Sequence, residues 1–291
     1  MPVVEEVEDP NKQLTLDEAQ LINRHAVIGD TVGIKLDTRE FGRIAATTAK
    51  QVIRQGIREV ERNQANDTMR SREQELVTAV VEKVDPETGV VTLTLGKITL
   101  PLLKNEQIEG ETFTPGQNVK VFVVSTKDST GKSSHTTVSR THPGLVKRLF
   151  ETEVPEIFDG IVEIKSVSRE AGSRTKVAVF SHDENVDAVG ACIGLRHSRI
   201  NEIVSELGGN EKIDVIKWSE DPVEFISNAL SPASVVRVEM DPENARSCHV
   251  KVPESQLSLA IGHKGQNARL AARLTGYKID IHPESGYYGE E

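Results

Sequence analysis

The chain has 291 residues, a formal net charge of −10 at pH 7 and an aromatic content of 4%. That length accommodates two to four domains of roughly 100 residues each, and so few aromatics argue against one large aromatic-rich core. No run of about 18 apolar residues occurs, so no membrane span is expected.

The start, MPVVEEVEDP, is acidic and lacks the basic-then-apolar order of a signal peptide. Cys192 and Cys248 stand in no CxxC or Cys/His spacing and read as small buried thiols. These features predict a soluble cytoplasmic protein without metal or cofactor. The acidic balance argues at first against nucleic acid, but it is unevenly spread. Residues 1–40 hold nine acidic and four basic side chains, a net of −5 and half the total. Basic runs remain at SRTHPGLVKR (139–148), LRHSR (195–199) and GHKGQNAR (262–269). A local patch, rather than the net charge, decides what binds.

Along the chain, the first long helical signal is DTREFGRIAATTAKQVIRQGIREVERNQ. Phe41, Ile44, Ala45, Thr48, Val52, Ile53, Ile57 and Val60 recur mostly at three- and four-residue steps. Asp37 and Glu40 resemble a capping box at its start, and Arg54, Arg58 and Arg62 line another side. Continued through Arg72, the helix would reach about 50 Å, a length suited to a rod joining two domains.

The period then shortens to that of strands. ELVTAVVEKV, VVTLTL, KITLPLL, VKVFVV and HTTVSR are separated by Gly/Pro/Asp turns, which fits a small five-stranded barrel of OB type. Its aromatic supply for stacking bases is thin: Phe113 and Phe122, the latter a candidate for the core. STGKSS (129–134) invites a phosphate-loop reading that fails, because Thr126 stands where the first glycine is needed. It is expected to be a hairpin turn.

The remainder repeats. A shift of 68 residues lays Ile193-Gly194 on Ile261-Gly262 and Gly208 on Gly276, and a two-residue insertion then brings KIDV (212–215) onto KIDI (278–281). Each copy reads helix, two strands, two helices, strand. Helix, Gly-x-x-Gly, helix and strand in a duplicated unit is the pattern of type II K-homology (KH) domains, whose loop clamps the backbone of single-stranded nucleic acid. Glycine suits that task because the absent Cβ lets a phosphate approach the main chain. The following helix start offers unpaired N–H groups and a positive dipole end.

Gly262, His263, Lys264, Gly265, Gln266 and Arg269 are therefore candidate RNA contacts, with Lys264 as a point charge and Arg273 as a further support. In the first copy His197 replaces the second glycine of Gly194-Leu195-Arg196-His197. Its Cβ is expected to hinder phosphate approach and restrict the start of the helix, with Arg196, Arg199 and His197 offering charge in compensation. A merely connecting loop is the other reading there. Arg140, Lys147 and Arg148 of the basic run 139–148 complete the candidate RNA-binding set.

A five-stranded barrel of S1 type followed by tandem KH units resembles the NusA family of bacterial transcription elongation, termination and antitermination factors. Matching stretches are EFGRIAATTAKQVI, SRTHPGLVKRLFETEVPEI, DGIVEIKSVSREAGSRTKVAV, VDAVGACIG, KIDVIKWSEDPVEFISNALSPA and QLSLAIGHKGQNARLAARLTGYKIDI. The resemblance covers most of residues 15–283. It implies an α+β multidomain chain: a partial N-terminal α/β domain with a long connecting helix (1–72), an S1 (OB-fold) β-barrel (73–141) and two tandem type II KH domains (142–220 and 221–291).

It also implies a non-enzymatic factor that contacts RNA polymerase, single-stranded nascent RNA and other elongation and antitermination factors. VVEEVEDPNKQLTLDEAQ resembles the middle of the family's N-terminal domain, so a partial sequence lacking the leading helix and first strands is expected, and nothing corresponding to C-terminal acidic repeats follows the second KH unit. An S1/KH module of an RNA-degrading enzyme is the alternative, but such enzymes place KH before S1 and need a large catalytic core. His25, His135, His142, His182, His249 and His263 are scattered and form no evident catalytic constellation. A ribosome-associated RNA binder is a third reading.

Overall fold

In a computed structural model, the structure describes residues 1–5, 7, 12–34, 38–127 and 135–285. The expected capping box at Asp37 and the expected turn at 129–134 lie outside the described residues. The chain divides into two compact units, residues 1–63 and 64–291. In the first, Thr15 and Glu18 form a reciprocal capping box that starts α1 (Leu16–Ile22). Glu18 accepts from the Thr15 N–H at 3.1 Å, and Thr15 Oγ1 accepts from the Glu18 N–H at 3.3 Å. Val3, Leu14, Ala19, Ala26 and Val32 make a small core beside it.

Helix α2 (Thr38–Arg70) has 33 residues, roughly 50 Å at 1.5 Å per residue. Of the apolar stripe read from its sequence, Val52, Ile53, Ile57 and Val60 are all exposed.

In the second unit, Met69 in the last turn of α2 enters the core of a five-stranded antiparallel sheet. Its strands are β1 (Leu76–Val84), β2 (Val91–Leu95), β3 (Ile98–Leu102), β4 (Asn118–Lys127) and β5 (His135–Ser139), in the order β3-β2-β1-β4-β5. β3 and β5 also approach each other, so the sheet nearly closes into a barrel. Alternation places Val77, Ala79 and Val81 of β1 inside, with Leu93, Leu100, Val121 and Val138 from its neighbours.

Two units of one design follow. The first comprises α3 (Pro143–Glu153), the short α4 (Pro155–Phe158), β6 (Val162–Glu170), β7 (Arg174–Ser181), α5 (Ala188–Ile193), α6 (Ser198–Glu206) and β8 (Lys212–Lys217). The second comprises α7 (Pro222–Ala229), β9 (Arg237–Met240), β10 (Ser247–Val252), α8 (Glu254–Ile261), α9 (Gln266–Thr275) and β11 (Lys278–Pro283). In each, a hairpin is joined by a parallel third strand, giving the orders β6-β7-β8 and β9-β10-β11.

The cores do not respect these borders. Ile108 and Phe122 of the barrel pack with Leu145, Leu149 and Phe150 of α3 in one cluster. Phe122 is buried and stacks on His142, ring centroids 4.7 Å apart and 6° from parallel. A Cβ on Gly144 would collide with the Phe122 ring, which explains the glycine in the first turn of α3. His142 caps that helix, its Nδ1 accepting from the Gly144 N–H at 3.0 Å. Burial lowers the His142 pKa; Glu106 opposes the drop and Arg169 adds to it, which favours a neutral ring able to accept.

Ala178 and Ile216 of the first repeat likewise sit in the core of the second, beside Leu230, Ala271 and Leu274. Both cysteines are buried, as their sequence setting predicts. Burial pushes Cys192 up to about 12 and Cys248 up to about 11, so neither offers a thiolate near neutral pH.

Candidate nucleic-acid interface

The two repeat loops share one backbone shape. Gly194 has φ 75° and ψ 168°, Arg196 φ 51° and ψ 35°, His197 φ 64° and ψ 20°. Their counterparts are Gly262 at 76° and 174°, Lys264 at 50° and 32°, and Gly265 at 74° and 15°. His197 therefore does not restrict the start of its helix: a histidine holds the left-handed conformation that Gly265 holds at no steric cost. The expectation that His197 restricts the start of its helix is corrected on this point.

The first glycine of each loop has a packing reason. A Cβ on Gly262 would lie 2.8 Å from Asn267 Cβ and from its backbone N, and one on Gly194 would lie 2.8 Å from Arg199 Cγ. Asn267 is buried and pins the turn, donating at 3.0 Å to both the Leu230 and Ala260 carbonyls. The second glycine has a different reason. A Cβ on Gly265 would meet nothing closer than Arg269 Nη1 at 4.0 Å, so that side of the loop is open. Gly265 has no side chain to cap α9, and His197 does not cap α6. The Gln266 and Ser198 N–H groups at the helix starts donate to the His263 and Leu195 carbonyls, and no side chain caps the turns that follow.

His263 and Lys264 are exposed at the tip of the second loop, and Leu195, Arg196 and His197 at the tip of the first. A groove of about 360 Å³ lies beside the second loop. Arg174, Asn210 and Lys212 of the first repeat line it together with Gly262, His263 and Gln266. Lys212 is an exposed cation that sequence reading did not single out as a contact; it opens the KIDV repeat motif, which marks a strand of the other repeat and not its approach to this loop.

The other candidates divide by what holds them. Gln266 donates to Glu170 at 2.9 Å and to Ser173 at 2.7 Å, tying α9 to the hairpin of the first repeat. Arg269 donates to both Glu170 oxygens at 2.7 and 3.2 Å and to the Lys264 carbonyl at 3.2 Å, so it braces the loop from behind. The Arg269 hydrogen bond, helped by Gln266 and opposed by burial, holds the Glu170 carboxyl below its ordinary range. Arg273 also reaches Glu170, at 3.6 Å.

Arg199 is turned inward. It donates to the Ala191 carbonyl at 2.6 Å and to Glu156 at 2.8 Å, under Gly194. Lys147 is exposed on α3, while Arg148 donates to the Gln74 carbonyl at 2.7 Å and to Glu151 at 2.5 Å.

Arg140 requires a correction. Its side chain is 2% exposed and spans the junction of barrel and first repeat. It donates to Glu111 at 2.8 and 2.5 Å, to the Lys120 carbonyl at 2.6 Å and to the Glu206 carbonyl at 2.8 Å. A guanidinium enclosed in this way is a structural clamp and is not presented to a phosphate. Behind it, Arg169 makes a fully buried, bidentate pair with Glu211 at 2.8 and 2.8 Å.

Comparison with known proteins decides the family. Family models match residues 1–63 (NusA N-terminal domain), 140–218 (NusA-like first KH domain) and 222–288 (NusA-like second KH domain). The transcription termination/antitermination protein NusA of Bacillus subtilis is 49% identical over 283 residues, 97% of this chain and 75% of that protein. The chain belongs to the NusA family. The Thermus thermophilus NusA is 46% identical over 97% of this chain and 71% of its own. The Mycobacterium tuberculosis NusA is 47% identical over 84% of this chain and 72% of its own. The paired loops at 194–197 and 262–265 are thus those of the first and second NusA-like KH domains. Among the described residues, no helix is long and apolar enough to cross a membrane.

Proposed function

We propose that this chain is an RNA-binding transcription factor that acts with RNA polymerase on nascent RNA and modulates pausing, termination and antitermination. The second KH loop is the principal clamp. A phosphate sits against bare main chain at Gly265, in the turn that Gly262 sets by packing on Asn267, faces the start of α9, and is drawn in by Lys264. Lys212, across the groove, extends the cationic track. Arg196 supplies charge at the first loop, where the His197 side chain narrows the approach. The action is binding, without covalent chemistry: holding the emerging strand shifts the balance between paused and elongating polymerase.

The observation that carries this reading is the open side of residue 265 beside a helix start that no side chain caps. Fluorescence anisotropy with short single-stranded RNAs tests it. Lys264→Ala should weaken binding, and log affinity should fall linearly with log salt, at a slope of about −0.7 per phosphate neutralised. A flat salt titration, or unchanged affinity in folded Lys264→Ala, rejects the clamp. Retention of core RNA polymerase on the immobilised chain tests the partner separately.

A further inference from the structure

The outer face of the second KH sheet carries a constellation that RNA binding does not use. Cys248, Val250, Val252, Ile279 and Ile281 point into the core, so alternation turns His249, Lys251, Asp280 and His282 to the opposite face. The parallel register sets His249 directly across from Asp280, and His282 follows two residues later on the same strand. His249 Nδ1 lies 3.5 Å from Asp280 Oδ2, and His282 Nε2 lies 3.0 Å from the same oxygen. One donor atom from each residue falls within 4.8 Å of the others.

We propose that His249, Asp280 and His282 form a binding site for a divalent first-row transition-metal ion, of which Zn(II) is the natural probe. Two imidazoles and one carboxylate suit such borderline ions, whereas calcium and magnesium seek shells of oxygen. Zinc–ligand bonds of roughly 2.0–2.2 Å put tetrahedral neighbours about 3.4 Å apart, close to two of the separations already present. The third closes by rotation of the half-exposed His249 ring. Three protein ligands leave a fourth position for water. Lys251 flanks the site, but Glu239 at 3.5 Å offsets its charge.

The first KH domain shows what the same location does otherwise. There Lys176 faces Asp214 across the strands, 3.1 Å away, and Ile216 takes the place of His282. Lys176 also donates to the Ser231 carbonyl, and Ile216 packs into the neighbouring domain's core. One copy uses this face to dock its neighbour. The second copy carries three metal-ligand side chains there, partly open to solvent.

The test uses the full chain, stripped with a chelator and titrated with Zn(II) against a chromophoric competitor. One equivalent should bind, and binding should weaken as pH falls through the histidine range, because protons compete for the imidazoles. His249→Ala, His282→Ala and Asp280→Asn should each weaken it by at least about tenfold, whereas His25→Ala should leave it unchanged. Imidazole resonances provide a readout that needs no variant: two of the eight histidines should shift on adding Zn(II). Failure to bind Zn(II) in competition, shifts at other histidines, or undiminished affinity in folded His249→Ala and His282→Ala would overturn the assignment.

Discussion

Replacing Arg140 with methionine removes a buried cation while keeping much of its volume. The loss leaves Glu111 without its cation and strips the Lys120 and Glu206 carbonyls of donors in a site where the arginine is 2% exposed. Each orphaned buried acceptor costs about 1–3 kcal/mol, and breaking a buried pair by deleting one partner costs about 3–5 kcal/mol. Glu111 is less enclosed than Arg140 and regains some hydration, so we take about 3–5 kcal/mol for the whole change. At about 2–4 °C per kcal/mol for a unit of this size, the melting midpoint should fall by roughly 10 °C. The assay pairs thermal unfolding by circular dichroism with RNA anisotropy well below the transition. RNA affinity should stay within about twofold of the parent, since no phosphate reaches this guanidinium. An unchanged midpoint together with an RNA defect like that of Lys264→Ala would refute the clamp and restore Arg140 as an RNA contact.

The other loop and junction residues give further expectations. Gly262→Ala should destabilise the second KH domain by about 1–3 kcal/mol, because the new Cβ meets Asn267 at 2.8 Å with φ at +76°; an unaltered melt would contradict the packing. Gly265→Asp should cost only about 1 kcal/mol of stability, having open space around it, yet should weaken RNA binding through added negative charge; full affinity would show that residue 265 does not face the strand.

Glu170→Gln should speed hydrogen exchange in the first turn of α9 by loosening Gln266 and Arg269, and unchanged exchange would remove Glu170 as a brace. Burial alone would raise the Glu211 pKa, but Arg169, Thr175 and the Gly172 N–H outweigh it and hold the carboxyl below its ordinary value. A carboxyl so depressed contributes stability that is present at neutral pH, above its unfolded pKa, and is lost as pH falls through its folded pKa. Glu211→Gln should flatten the acid limb of stability against pH, and an identical limb would show that Glu211 is not its source.

The barrel strands were legible because each alternates, and the KH units because their glycines and KID motifs recur at a near-constant shift. Sequence could not distinguish arginines that meet solvent from those that meet carboxylates 29 to 99 residues away, as Arg140 meets Glu111 and Arg269 meets Glu170. Local basic runs look alike in either case. The restriction expected of His197 at its helix start is absent for a related reason: the repeat's packing imposes the turn, and the left-handed residue follows. On α2 the periodicity described a stripe correctly without saying whether anything covers it.

The ring of Phe122 resting on His142, with Gly144 shaved to admit it, bears on how this molecule can be dissected. A barrel severed after residue 141 would present a bare aromatic disc to water, and a KH pair begun at 142 would open a matching hollow. Transplantation experiments that exchange S1 modules between relatives therefore need to carry α3 along, because the smallest portable piece is larger than the textual domain.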